Sequence, residues 1–264
     1  MRKVIIAILS VVVIAGLSIA IFPSVAKIIN NNSIITTASQ VISNNSSAMQ
    51  TELLEVAHKY NEQLTSSNNG SKYDDYYNIL NTNGVMGVVS IPNIKLTLPI
   101  YHGISDDVLR KGAGHLPYTP LPVGDNGVSV ITSHSGLPNA TLFTNLSNLQ
   151  QSDSIVITVA GISTTYIVDK IDVVEPSKVV KATEYSNDGK SYIALVTCTP
   201  IGVNTHRLVV RAVKQKAEVT SETMTSIQTS VPTDTVNLIV LSIIPLVILA
   251  VLVFILIRRK KCVK

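Results

Sequence analysis

Tyr192-Ile193-Ala194-Leu195-Val196-Thr197-Cys198-Thr199-Pro200 is a mostly apolar run closed by a thiol and a proline. A run of this length bounded by a turn signal reads as a buried strand, and Pro200 stops its ladder because proline has no N–H to donate. A thiol at the end of such a strand opens onto a surface groove, unlike one in mid-strand. The seven-residue connection Thr199 to Thr205 leads to His206-Arg207-Leu208-Val209-Val210-Arg211, which begins the next strand. If the two strands are antiparallel neighbours, Arg207 lies opposite Cys198. A guanidinium there would stabilise a thiolate and could donate to the oxyanion formed when that thiolate attacks a carbonyl. A third stretch, Val130-Ile131-Thr132-Ser133-His134-Ser135-Gly136-Leu137-Pro138, is a strand running out into a loop with His134 at the exit. A histidine there completes the nucleophile-plus-base requirement of cysteine catalysis. Each residue alone has an ordinary explanation: any one of five histidines is more often structural, a lone cysteine is more often buried and inert, and Arg207 could be a solvated strand-end charge. The combination is more specific, and it makes Cys198, His134 and Arg207 the candidate catalytic set.

Working outward, the chain from Gly84 consists of short β-branched runs separated by Gly, Pro, Asn and Asp. The runs Val85 to Ile91, Lys95 to Tyr101, Val128 to Ser133, Ile155 to Ala160, Thr164 to Val174, Tyr192 to Cys198 and His206 to Val213 read as strands. Short strands at this spacing predict a closed barrel or a sandwich. Helical turns are expected at Ser105 to Lys111, with Ser105 as N-cap and Asp106 and Asp107 in the first turn, and at Thr141 to Leu149. Upstream, Ala26 to Asn83 is rich in Asn and Ser. Within it Met49, Leu53, Val56, Tyr60 and Leu64 recur at helical spacing and predict an amphipathic stem helix between polar linkers. Neither a phosphate loop, zinc-ligand spacing nor a nucleotide fingerprint occurs, so no cofactor or metal is expected.

The two ends are apolar. Val4 to Phe22 and Val236 to Ile257 are uncharged and each about 20 residues long, enough to cross a bilayer as a helix. Arg2 and Lys3 precede the first, and Arg258, Arg259, Lys260, Lys261 and Lys264 follow the second. The positive-inside rule then places both termini in the cytoplasm and the intervening segment outside. A cleaved signal peptide is the alternative for the first block, but its apolar run exceeds a typical h-region of about 7 to 15 residues; either way the middle is exported. Across all 264 residues the formal charge is +4, with 46% hydrophobic and 14% charged residues. Seven of the 21 basic residues and none of the 17 acidic ones lie at the cytoplasmic ends, leaving 14 basic against 17 acidic outside. That slightly acidic segment removes the support for a nucleic-acid role. The membrane would separate Cys262 from Cys198, so Cys198 is an unpaired thiol in an oxidising compartment.

From Gly84 to Val213 the chain resembles the sortases, membrane-anchored cysteine transpeptidases of Gram-positive surfaces, and most closely class C, the pilin-polymerising branch. The resemblance is carried by Met86-Gly87-Val88-Val89-Ser90-Ile91-Pro92-Asn93-Ile94, Leu98-Pro99-Ile100-Tyr101-His102-Gly103, Gly112-Ala113-Gly114-His115-Leu116, Ser133 to Pro138, Leu195 to Pro200, and Asn204-Thr205-His206-Arg207-Leu208. It implies a mainly β fold: a sortase-type closed β-barrel with short helices, an N-terminal stem helix and a transmembrane helix at each end. The expected organisation is an anchor at 1–25, a stem at 26–83, the barrel at 84–213, a polar tether at 214–235, a second span at 236–257 and a basic tail at 258–264. The resemblance further implies that Cys198 attacks the Thr-Gly bond of an LPXTG-like sorting signal and forms a thioacyl enzyme. His134 would then serve as acid and base, Arg207 would hold the carbonyl or oxyanion, and a lysine amine of a pilin subunit would resolve the intermediate. Attachment of surface proteins to peptidoglycan, plain proteolysis and a non-enzymatic surface β-protein are the alternatives. His206 should face away from the site, and His102 and His115 should be structural. Family members commonly have Thr where Ala194 stands, and Ala-His-Arg where this chain has Ser133-His134-Ser135. Many class C enzymes carry an Asp-Pro-aromatic lid, but Ser66 to Tyr77 contains no proline, which predicts a weak or absent lid and an accessible Cys198.

Overall fold

The alternation of inward and outward side chains along the predicted strands is realised in a closed eight-stranded barrel. The structure, a computed structural model, describes residues 2–43, 47–66, 75–184 and 188–215. The strands are β1 (Val85–Ile91), β2 (Leu96–His102), β3 (Ala113–His115), β4 (Gly127–Thr132), β5 (Ser154–Val159), β6 (Ile162–Val174), β7 (Ser191–Thr199) and β8 (His206–Lys214). Their order around the barrel is β1-β2-β3-β4-β7-β8-β6-β5, and β1 pairs with β5 to close it. The β2/β3 and β4/β7 pairs are parallel and the rest antiparallel.

The apolar run in β7 follows from burial on both sides, as in other parallel-paired strands. Ile193 and Leu195 join the main core with Ile131, Ile155, Ile157, Tyr166 and Val210. Tyr192, Ala194 and Val196 point the other way, into a second cluster with Val128, Val130 and Val209 that Val179 and Ala182 help cover. Strand β3 is absent from the sequence expectation because three residues, one of them glycine, give no periodic signal. Its approach demands small residues: a Cβ at Gly112 would stand 2.6 Å from the Pro99 carbonyl oxygen.

Two units make up the chain, dividing between Asn32 and Ser33. Helix α1 (Arg2–Ser43) is apolar over its first part. Within it Val12–Gln40 is long and apolar enough to cross a membrane. The helix continues through Asn30-Asn31-Asn32, where the sequence pointed to a polar linker. Further along, the Thr37 hydroxyl donates to the Ser33 carbonyl and the Ser39 hydroxyl to the Ile35 carbonyl, so these polar side chains are satisfied within the helix. In the second unit, Ile34 of the same helix joins the main core.

The stem helix α2 (Ser47–Ser66) forms as expected, but its buried face is rotated from the expected one. Ala57, Tyr60 and Asn61 are buried, Leu53, Leu54 and Leu64 pack against the core, and Met49 and Val56 are exposed. The reason is Asn61. Its amide nitrogen donates to the Leu121 carbonyl (3.1 Å) and to Asp125 (2.8 Å), and its oxygen accepts from the Leu121 N–H (2.7 Å). A polar residue so fully satisfied can occupy the packed face. His58 Nδ1 adds a 2.7 Å contact to the same Asp125 carboxylate. The second span at 236–257, the tether at 214–235 beyond Gln215, the basic tail with Cys262, and most of the lid segment lie outside the described residues.

Candidate active site

The ladders fix the three candidate residues before any side-chain geometry is needed. In the antiparallel β7/β8 pair, Cys198 is directly opposite Arg207, and opposed residues project to the same face of a sheet. In the parallel β4/β7 pair, Thr132 is level with Val196; His134 and Cys198 each lie two residues further on, at adjacent strand ends. Two-residue steps also assign the face: Cys198 follows Ala194 and Val196, and Arg207 precedes Val209, all members of the outer cluster. Cys198 and Arg207 therefore leave the barrel on one side, and His134 stands just past the exit of β4 at the same end. His206, paired with Thr199, has the parity of the core residue Leu208 and faces away from Arg207.

Ser133 and Ser135, the two departures around the histidine, fasten this arrangement. Ser133 is buried and donates its hydroxyl to the Gly112 carbonyl (2.6 Å), while its own carbonyl accepts from the Thr197 hydroxyl (2.8 Å). Ser135 donates to the Cys198 carbonyl (2.6 Å). The carbonyl of His134 accepts from the Phe143 N–H at 2.9 Å. The residues on both sides of His134 are thus bonded to the strand that carries Cys198, Ser133 through its carbonyl and Ser135 through its hydroxyl, and the histidine cannot drift from the thiol without breaking these bonds.

Cys198 is a free, partly exposed thiol. Arg207 uses one terminal nitrogen, Nη1, to donate to the carbonyls of Asn204 (3.1 Å) and His206 (3.0 Å). This anchors the guanidinium to the β7–β8 connection and leaves donors on Nη2 and Nε, since an arginine carries five N–H groups in a planar fork. An oxyanion forming at Cys198 would meet a cation held in place beforehand.

One polar partner of the site was not singled out in the sequence. Asp106, the first residue of helix α3 (Asp106–Lys111), places Oδ1 3.0 Å from His134 Nε2 and Oδ2 2.7 Å from Arg110 Nε. Arg110 first, then His134, hold its carboxyl below the usual carboxylate range. In the sequence Asp106 was visible only as an acid in a first helical turn. Ser105 takes the N-cap position without a side-chain capping bond.

His115 and His102 are buried and structural, as expected. His115 donates Nε2–H to the Pro120 carbonyl (2.9 Å) and meets the Tyr76 hydroxyl through Nδ1 (3.0 Å). Burial lowers it from 6.5 to about 4. His102, bonded to the Ile79 carbonyl, is lowered by burial as well. Tyr76, the aromatic nearest the expected lid position, is buried, and its hydroxyl also accepts from the Gly103 N–H at 3.1 Å. Among the described residues no group of His, Cys, Asp and Glu is placed to hold a metal ion.

An eight-stranded barrel with a cysteine ending one strand, an arginine opposite it and a histidine at the next strand exit is the architecture of a sortase. The sortase domain model matches residues 89–215, and the chain belongs to the sortase family, whose members are cysteine transpeptidases. Among solved structures, a lid mutant of sortase A from Corynebacterium diphtheriae is 43% identical with a TM-score of 0.61, over 66% of this chain and 97% of that one. Sortase C of Streptococcus pneumoniae, whose structure is described as informing pilin substrate specificity, is 35% identical with a TM-score of 0.63, over 69% of this chain and 96% of that one. Sortase A of Streptococcus agalactiae serotype III is 31% identical over 137 residues, 50% of this chain. The matched region spans about half the length of that curated relative, 53%.

Proposed function

We propose that the protein is a pilus-assembling class C sortase that cleaves an LPXTG-like sorting signal between Thr and Gly and joins the acyl product to a lysine amine of a pilin subunit. Cys198 is the nucleophile: its sulfur attacks the threonine carbonyl while Arg207 stabilises the oxyanion. His134 protonates the leaving glycine amine, giving a thioacyl enzyme. The lysine amine then attacks that thioester, His134 takes its proton, and the thiol is released as an isopeptide bond forms. The observation that carries this reading is the register pair Cys198–Arg207 beside the exit of β4 that bears His134.

The membrane arrangement belongs to the same proposal: an N-terminal anchor and a C-terminal span at 236–257, both termini cytoplasmic, and the barrel outside. Holding the enzyme and its membrane-emergent substrates on one surface raises their effective concentration. The likeness to sortase C, together with the stem helix, favours the pilin acceptor over peptidoglycan.

The test is incubation of the full-length chain with an LPXTG peptide and a lysine-bearing acceptor. Expected is a new amide between threonine and the lysine side chain, lost in Cys198→Ala. Cleavage without amine incorporation would make the protein a protease, and no reaction at all would leave a surface β-protein without this chemistry.

A further inference from the structure

We infer that Asp106 is a positioning residue for His134: its carboxylate accepts a hydrogen bond from Nε2–H of the imidazole and so assigns proton transfer to Nδ1. The inference rests on the reading of His134 as the acid–base group.

The argument begins with one carboxylate divided between two partners. Oδ1 faces His134 Nε2 at 3.0 Å and Oδ2 is braced by Arg110 Nε at 2.7 Å, four residues on in the same helix. An ionised carboxylate only accepts hydrogen bonds. Nε2 therefore carries its proton whether the ring is neutral or cationic, and Nδ1 is the nitrogen whose protonation changes. Among the described residues Nδ1 carries no hydrogen bond, which leaves it the nitrogen to exchange protons.

In the acylation half, Nδ1 takes the thiol proton as the Cys198 sulfur–carbon bond forms, and gives it to the glycine amine as the carbon–nitrogen bond breaks. In the second half it takes a proton from the lysine amine and returns one to the departing thiolate. Each half leaves the ring as it began, with Nε2–H held by Asp106 throughout.

The backbone maintains the contact. Gly112, which follows α3, accepts the Ser133 hydroxyl through its carbonyl. In β3, Gly114 pairs with Thr132, two residues before His134. The end of α3 is thus bonded to the strand exit that presents the histidine. Exposure decides what kind of effect to expect. The Asp106 side chain is 61% exposed and His134 28%, so water screens the charge and the contribution is orientation and tautomer.

The experiment uses the full-length chain in detergent micelles, 15N-labelled at histidine, with an LPXTG peptide and an amine acceptor. In Asp106→Ala, kcat should fall roughly tenfold, below the ~10²–10⁴-fold range of a positioned acid–base group because the group itself remains. KM should stay unchanged, and the His134 nitrogen shifts should move from the single Nε2–H form to a mixture of tautomers. Asp106→Glu should recover part of both. Wild-type kcat with an unaltered tautomer in Asp106→Ala, or a loss confined to KM, would overturn the inference while leaving His134 as acid–base. Full activity in His134→Ala would instead remove the underlying reading and this inference with it.

Discussion

At the residue scale, Cys198 and Arg207 meet because they are level on neighbouring antiparallel strands. This much was legible from a strand-ending thiol and a seven-residue connection. The Asp106–His134 contact was not, because it depends on β3 bringing the helix between β2 and β3 alongside the exit of β4, and a three-residue strand leaves no periodic trace. Replacing Arg207 by Lys should leave stability intact yet lower kcat by about 10²–10³, the cost of removing one oxyanion donor, since a single ammonium cannot both hold the loop carbonyls and present a fork; steady-state kinetics will measure it. His115 provides the pH prediction. Its proton affinity is depressed in the folded state, from 6.5 to about 4. The stability it contributes is present above pH 6.5 and is lost as pH falls toward 4, because the unfolded chain binds a proton that the native site refuses. The loss amounts to about 3 kcal/mol at most. Denaturant titrations across this range should show stability falling with pH, with a shallower fall in His115→Gln.

At the element scale, most strands were readable from β-branched runs and their turn residues, whereas the face of α2 was readable in part: Leu53, Tyr60 and Leu64 pack on the core, and Met49 and Val56 are exposed. The apolar spacing of Met49, Leu53, Val56, Tyr60 and Leu64 favoured one orientation, but the hydrogen bonds of Asn61 to Leu121 and Asp125 select another. No apolar periodicity reveals a buried amide whose partners lie 60 residues away. Asn61→Ala should cost about 2–3 kcal/mol, because it removes these bonds and strands a buried Leu121 N–H; equilibrium denaturation will read the loss. Gly87 in β1 makes a second test. A Cβ there would stand 2.7 Å from the Thr158 carbonyl oxygen and 2.8 Å from Val159 Cγ2. Gly87→Ala should therefore destabilise the barrel by about 1–3 kcal/mol, seen as a lowered Tm.

For the whole molecule, the uneven distribution of charge is a property of the full chain. Basic residues flank the two apolar ends while the rest is slightly acidic, a distribution that supports the proposed tethering at both ends. On that account the barrel works as a tethered enzyme whose thiol is open to substrate. Tyr76 is buried against His115 and Gly103, so modification of Cys198 by a small thiol reagent should be proportional to reagent concentration. A plateau at high reagent would mark a slow opening step and contradict the open site. The central claim, that Cys198 forms a thioacyl bond with its substrate, is tested most directly by intact-mass spectrometry of the full-length protein mixed with an LPXTG peptide and no acceptor. The account predicts a mass increase equal to the LPXT acyl group, located on Cys198, discharged by an added amine and absent from Cys198→Ala. An unmodified wild-type protein, or an adduct that persists in Cys198→Ala, would contradict it.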